Sequence, residues 1–266
     1  MKKKSSASMA VMLLVMIYLL IPLVASIIYS VFKKWRGILP EGFSLNNYVS
    51  LFTDPNFMAS VGRSIGMCII PIVTTIIIVL LALFVTAIYF PKLEKYVQII
   101  CMIPYTIQGV ILSVSILSLY VGTDSILSNR LVMLMGAYCI VILPYIYQGI
   151  RNGMNAVNMP TLIEAAEMLG ASKIYAFFRV VVPNILSAII VSSLLAVGII
   201  FGDYVLIRNL AGTSAPNMQI FLYQTMKSDS TKASAVFVII MFVTFIITAI
   251  VLFLKSRENK GNTQKK

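Results

Sequence analysis

Long uninterrupted apolar stretches, rather than an alternation of apolar and polar faces, dominate this chain. Six of them run at roughly 9–32, 62–90, 97–121, 131–150, 181–201 and 235–254. Crossing about 30 Å of hydrocarbon takes about 20 helical residues. Each stretch therefore reads as a membrane-spanning helix, since a helix satisfies its own backbone groups where no water can. The first follows Lys2, Lys3 and Lys4, as a secretory leader would. It is too long for the apolar core of a leader, and no small-residue cleavage site follows it. The expectation is an uncleaved first helix, bent near Pro22. Pro71, Pro104 and Pro144 fall inside later stretches and are expected to kink them, neighbouring helices re-satisfying the freed backbone groups.

Six spans place both termini on one side. With that side inside, the inner segments hold thirteen cations: Lys2, Lys3, Lys4, Lys92, Lys95, Arg151, Lys173, Arg179, Lys255, Arg257, Lys260, Lys265 and Lys266. The outer segments hold eight: Lys33, Lys34, Arg36, Arg63, Arg130, Arg208, Lys227 and Lys232. Inner loops favour Lys and Arg, so the split predicts N-in/C-in. The segment 151–180 then faces the cytoplasm. Residues 1–8 and 255–266 are short tails, the latter expected to be disordered.

Composition supports the membrane reading. The chain is 59% hydrophobic and 11% charged, with a mean hydropathy of +0.95; a soluble domain has about 25% charged residues. The net charge of +12 belongs to membrane edges, where anionic lipid and insertion both favour cations. The basic residues form no aromatic-interleaved patch, so nucleic acid is excluded as a partner. Cys68, Cys101 and Cys139 lie inside spans without metal-ligand spacing, and there is no histidine. Without a base or a metal cluster, nothing assembles an active site or holds a cofactor. A secondary transporter would need acids or paired charges at mid-span, and the mid-spans hold none.

One internal segment breaks the apolar pattern. Thr161, Leu162, Ile163 and Glu164 have capping-box spacing after Pro160, and Gly170 stands where a C-cap glycine belongs. This predicts a helix of about three turns in the loop between the fourth and fifth spans. Ala165 and Ala166 leave one face smooth, and Leu162, Met168 and Leu169 offer apolar anchors.

Glu164, Ala165 and Ala166 are followed by three residues, Gly170, nine residues, and then Val180, Val181, Val182 and Pro183. This pattern resembles the EAA loop of the inner-membrane permease subunits of binding-protein-dependent ABC importers. The family's Ile-x-Leu-Pro-like end is written here with valines. The pair Gly170, Ala171 and the run Phe177, Phe178, Arg179 are similar too. The resemblance implies an all-α membrane protein of six transmembrane helices, N-in/C-in, with a short cytoplasmic coupling helix between helices 4 and 5. Its permease unit is 9–254, with the coupling loop at 151–180. It implies that Glu164, Ala165, Ala166 and Gly170 dock on an ATPase. It further implies two ATPase subunits, a second permease subunit, an extracytoplasmic solute-binding protein, a place in the bacterial inner membrane, and no catalytic site in this chain.

Four residues are candidates for the solute path. Asp203 and Tyr204 follow Gly202 at the outer end of the fifth span. That step is similar to permeases of the polyamine, opine, phosphonate and ferric-iron group; the alternative is a carboxylate at the water interface. Gln148 ends the fourth span and Gln108 lies in the third, each a path residue or a bond to a neighbouring helix. Short outer loops and Ser44, Leu45, Asn46, Asn47, Tyr48 before the second span resemble the polyamine and 2-aminoethylphosphonate branch. Arg63 and Ser64 depart from that branch's Asn-Ser.

Overall fold

The computed structural model describes residues 6–34, 41–107, 109–212 and 214–263. Its helices are α1 (Ser6–Ser30), α2 (Asn46–Phe52), α3 (Pro55–Ile88), α4 (Glu94–Met102), α5 (Gly109–Tyr120), α6 (Arg130–Ala156), α7 (Met159–Met168), α8 (Lys173–Ala176), α9 (Val182–Asn184), α10 (Leu186–Gly202), α11 (Val205–Leu210), α12 (Met218–Ser228) and α13 (Ser230–Thr263). A two-stranded hairpin, β1 (Phe32–Lys34) and β2 (Glu41–Phe43), follows α1 and pairs Phe32 with Phe43.

Four helices are long and apolar enough to span a membrane unaided: α1, α3, α6 and α13. The other two expected spans are broken. The third is divided into α4 and α5, with a 3₁₀ turn at Ile103–Thr106 around Pro104. The fifth is a pair of helical segments, Lys173–Asn184 and Leu186–Gly202, bent by 65°. Pro183 lacks an amide hydrogen, and the chain before it widens into a π turn at Phe177–Val181. The bend at Ile185 follows. Pro71 and Pro144, by contrast, lie inside α3 and α6 without ending them.

α6 is the central helix, packed on α3 and α10. Leu134, Tyr138, Ile142, Ile146 and Ile150 recur every fourth residue along it and are at most 1% exposed. A four-residue step keeps side chains on one helix face, so this row is the bundle's core. Val79 and Leu83 of α3 and Ala196 and Ile200 of α10 meet it. α13 packs on α1, α10 and α12. At the α3 start, Asp54 caps the helix through the Asn56 amide and accepts an ion pair from Lys232 of α13 at 3.2 Å.

Between the fifth and sixth spans the chain forms two further helices, α11 and α12. Two expectations need correction. α13 continues as helix through 255–263, where a disordered tail was expected. α3 begins at Pro55 and α6 runs to Ala156, each about two turns beyond the apolar run. Asp54 caps the added turns of α3, whereas at the far end of α6 the helix continues until the Val157 amide donates to the Gly153 carbonyl at 3.2 Å.

Candidate functional site

The loop helix forms, but it starts earlier than its capping box suggested. Asn158 takes φ +50°, the left-handed turn that separates α6 from α7. The helix then begins at Met159 with Pro160 in its first turn and no side-chain cap. A proline there needs no amide partner, so the helix extends back through it. Thr161 is thus already inside the helix, and the Thr161–Glu164 box is not made. Glu164 is exposed and makes no hydrogen bond or ion pair among the described residues.

The other end matches its glycine. Gly170 has φ +84°. The Gly170 amide donates to the Glu167 carbonyl at 2.9 Å, and the Ala171 amide to that of Ala166 at 3.0 Å. This paired arrangement is the Schellman ending, in which the left-handed residue pays no Cβ penalty when it is glycine. No atom lies within 4 Å of where a Cβ would stand. Conformation, not space, is what requires glycine here.

α7 has two distinct faces. Met159, Ile163 and Ala166 are buried against α8 and the π turn. Ala165 is exposed, so the two alanines do not share one smooth face as expected. Glu164, Ala165 and Glu167 point outward, and Met168 and Leu169 are both 89% exposed. Glu167 lies 3.8 Å from Lys173, a surface pair of small worth. Beneath α7, Phe177 is fully buried, its ring 5.0 Å from that of Phe84. Phe178 and Tyr89 pack on the same Phe84 ring at 5.9 and 5.8 Å. This aromatic group keys the base of the loop to the end of α3.

The loop leads directly into α10, which forms one wall of a cavity of about 400 Å³. Gln148 lines it, together with Tyr105, Tyr145, Asn152 and Ser192. The Tyr105 and Tyr145 rings meet edge-on at 4.9 Å. Beside the cavity α6 and α10 approach closely. A Cβ at Gly149 would stand 2.4 Å from that of Ser192, and one at Gly153 2.6 Å from that of Ala188. Only small residues four apart permit such an approach. That spacing was readable in the sequence as Gly149-x-x-x-Gly153; Tyr105 and Asn152 had no comparable signal.

Asp203 and Tyr204 lie at the far end of α10, about 16 Å along the helix from Ser192. The structure therefore does not bring Gln148 and Asp203 together, and Gln108 falls outside the described residues. The Asp203 carboxylate accepts from the amides of Leu206 at 3.1 Å and Ile207 at 3.4 Å, and from the Tyr138 hydroxyl at 3.2 Å. It thus caps the first turn of α11 and ties it to α6. An acid just before an apolar helical turn is a start signal that could have located α11.

Comparison with known proteins gives the family and the fold. Residues 78–259 match the family described as binding-protein-dependent transport system inner membrane component. Over 94% of this chain and 96% of the relative, the sequence is 24% identical to the spermidine/putrescine transport system permease protein PotC of Haemophilus influenzae. It is 21% identical to PhnV of Salmonella typhi, named for 2-aminoethylphosphonate transport, over 76% of each chain. The fold is similar to a chain of a bacterial alginate ABC transporter solved with an alginate pentasaccharide-bound periplasmic protein. That match has a TM-score of 0.68 and 17% identity, and covers 96% of this chain and 94% of that one. The family match spans most of the chain and includes the α7 loop, α10 and α13; the protein belongs to the family of binding-protein-dependent inner-membrane components and is a multi-pass permease of a bacterial ABC importer.

Proposed function

We infer that α7 is the coupling helix through which a separate ATPase drives this permease. The observation that carries the reading is the outer face of α7. Met168 and Leu169 are 89% exposed at its end, beside an unpaired Glu164 and the small Ala165. Two large apolar side chains on a helix that does not span the membrane fit the groove of a partner. The buried face of α7 rests on the segment that continues into α10, so a push on α7 is delivered to the wall of the cavity.

The chain is oriented N-in/C-in, with α7 in the cytoplasm, and forms half of the translocation path beside a second permease subunit, identical or homologous. Two ATPase subunits bind below, one to each α7. An extracytoplasmic binding protein delivers the solute to the opposite side. Gln148 lines the inner part of the path, and Tyr204 stands at its outer end, on the turn that Asp203 holds in place. Similarity to PotC and PhnV favours a small solute of the polyamine or 2-aminoethylphosphonate kind over a sugar.

Gly170→Val and Glu164→Lys test the coupling role. A Cβ forced into the left-handed region costs about 1–2 kcal/mol, too little to unfold the bundle. Both variants are expected to insert normally, to co-purify poorly with the ATPase and to lose solute uptake. Full uptake with a normally bound ATPase in both would refute the assignment.

A further inference from the structure

Arg208 of α11 and Lys227 of α12 come from different helices and converge on one ring. The Arg208 guanidinium carbon lies 5.9 Å from the Tyr223 ring centre, and the Lys227 ammonium 4.5 Å from it. Tyr204 packs against the same ring at 5.2 Å. Both cations are exposed, and neither has a carboxylate within ion-pair distance among the described residues.

Two other cations at this end of the bundle have partners. Lys232 pairs with Asp54, and Arg63 donates to the Pro216 carbonyl at 2.8 Å. The carboxylates nearest in sequence to the two cations are Asp229 and Asp203; Asp229 accepts from the Thr231 amide and hydroxyl and the Lys232 amide, and Asp203 from Tyr138 and the α11 amides. Two like charges therefore approach one ring with no carboxylate within ion-pair distance among the described residues. Lys227 and, behind it, Arg208 hold the Tyr223 hydroxyl below the ordinary phenol value. Insertion topology does not call for these cations, since it favours positive charge on the other side.

A paired cation with two tyrosines beside it suits an anion. Arg and Lys donate to a phosphonate or carboxylate, and the rings cover an attached methylene chain. We propose that Tyr204, Arg208, Tyr223 and Lys227 form a receiving site, at the end of the bundle remote from α7, for the acidic group of the transported solute. The solute is then an anion, or a zwitterion taken by its acidic end, and not a polyamine. This rests on the permease reading and narrows its solute. A polyamine would meet two uncompensated cations at the mouth. Local potential of this kind changes counter-ion concentration by about 10–1,000-fold.

The test uses the full chain in right-side-out membrane vesicles, with Gln224→Cys as a reporter on the residue after Tyr223. Labelling of the otherwise unchanged chain is subtracted. Two impermeant thiol reagents of similar size are compared, the anionic sulfonatoethyl and the cationic trimethylammonioethyl methanethiosulfonate. The anionic reagent is expected to react about tenfold faster or more. The ratio should fall towards one in Arg208→Gln/Lys227→Gln. 2-Aminoethylphosphonate should slow labelling by the anionic reagent, and putrescine should not. A ratio near one in the starting chain overturns the proposal, as does a ratio indifferent to the double substitution. Protection by putrescine alone, or by neither compound, overturns it as well. Ser172→Cys, labelled in parallel, separates this failure from that of the permease reading. If position 172 reacts and position 224 does not, the orientation is reversed, and both readings fall together.

Discussion

Each end of α10 carries a short helix, and the two are fastened differently. α7, at one end, buries Met159, Ile163 and Ala166, and makes no side-chain hydrogen bond to the rest of the bundle among the described residues. α11, at the other, buries Leu206, Ile207 and Leu210 and adds directional bonds. Asp203 caps it and reaches Tyr138, and Asn209 donates to Ser113 of α5 at 2.8 Å. Close by, Ser64 accepts from the Met218 amide, and Gln219 donates to the Phe201 carbonyl. Apolar burial is non-directional, so no directional bond ties α7 and its platform to one pose. Hydrogen bonds lose strength steeply with angle, so α11 is held in one pose. One end is held by apolar burial, the other by burial and directional bonds together.

The strongest way to break this contrast is at the α7 platform. Phe177→Ala removes the fully buried ring that keys the loop to Phe84. A buried Phe→Ala change costs about 3–5 kcal/mol. Hydrogen exchange should rise sharply over 159–181 and stay unchanged over 205–228. Equal loosening of both regions would mean that the two ends are not separately fastened.

The next test is at the fixed end. Asp203→Ala removes a cap and leaves the Tyr138 hydroxyl without its partner, a loss of about 1–3 kcal/mol. Asn caps nearly as well as Asp, so Asp203→Asn should keep both thermal stability and uptake. Loss of uptake in a stable Asp203→Asn protein would show that the charge itself acts on the solute.

The smallest effect is expected at Thr161. Inside α7 and exposed, with no capping bond, it should tolerate Thr161→Ala within about 0.5 kcal/mol. A drop of about 1 kcal/mol in thermal unfolding, the usual worth of a lost cap, would restore the capping box and a later helix start.

Part of this molecule was legible in its residues. The apolar runs marked the four helices long enough to span and the two bent helical pairs, because lipid leaves a long apolar stretch no alternative to helix. Gly170 marked the end of α7, because its φ of +84° is set by a local turn that glycine alone adopts freely. Local rules failed where two local signals competed and where partners lie far apart in sequence. Thr161 and Glu164 had the spacing of a cap, yet the chain turned at Asn158 and carried the helix back through Pro160. Asp203 read as a solute-path candidate or a carboxylate at the water interface, and nothing local showed that Tyr138, 65 positions away, donates to it.

The sequence by itself determined that the chain lives in a membrane, which apolar runs are long enough to cross it, and which loop carries a short helix. These follow from solvent and from bonds within a few residues. Only the tertiary structure decided which residues meet. It set Gly149 against Ser192 and placed Gln148 in a cavity far from Asp203. It also gathered Arg208, Tyr223 and Lys227 at one ring. Those meetings depend on how helices pack across the bundle, and packing is set by the shapes of distant segments taken together.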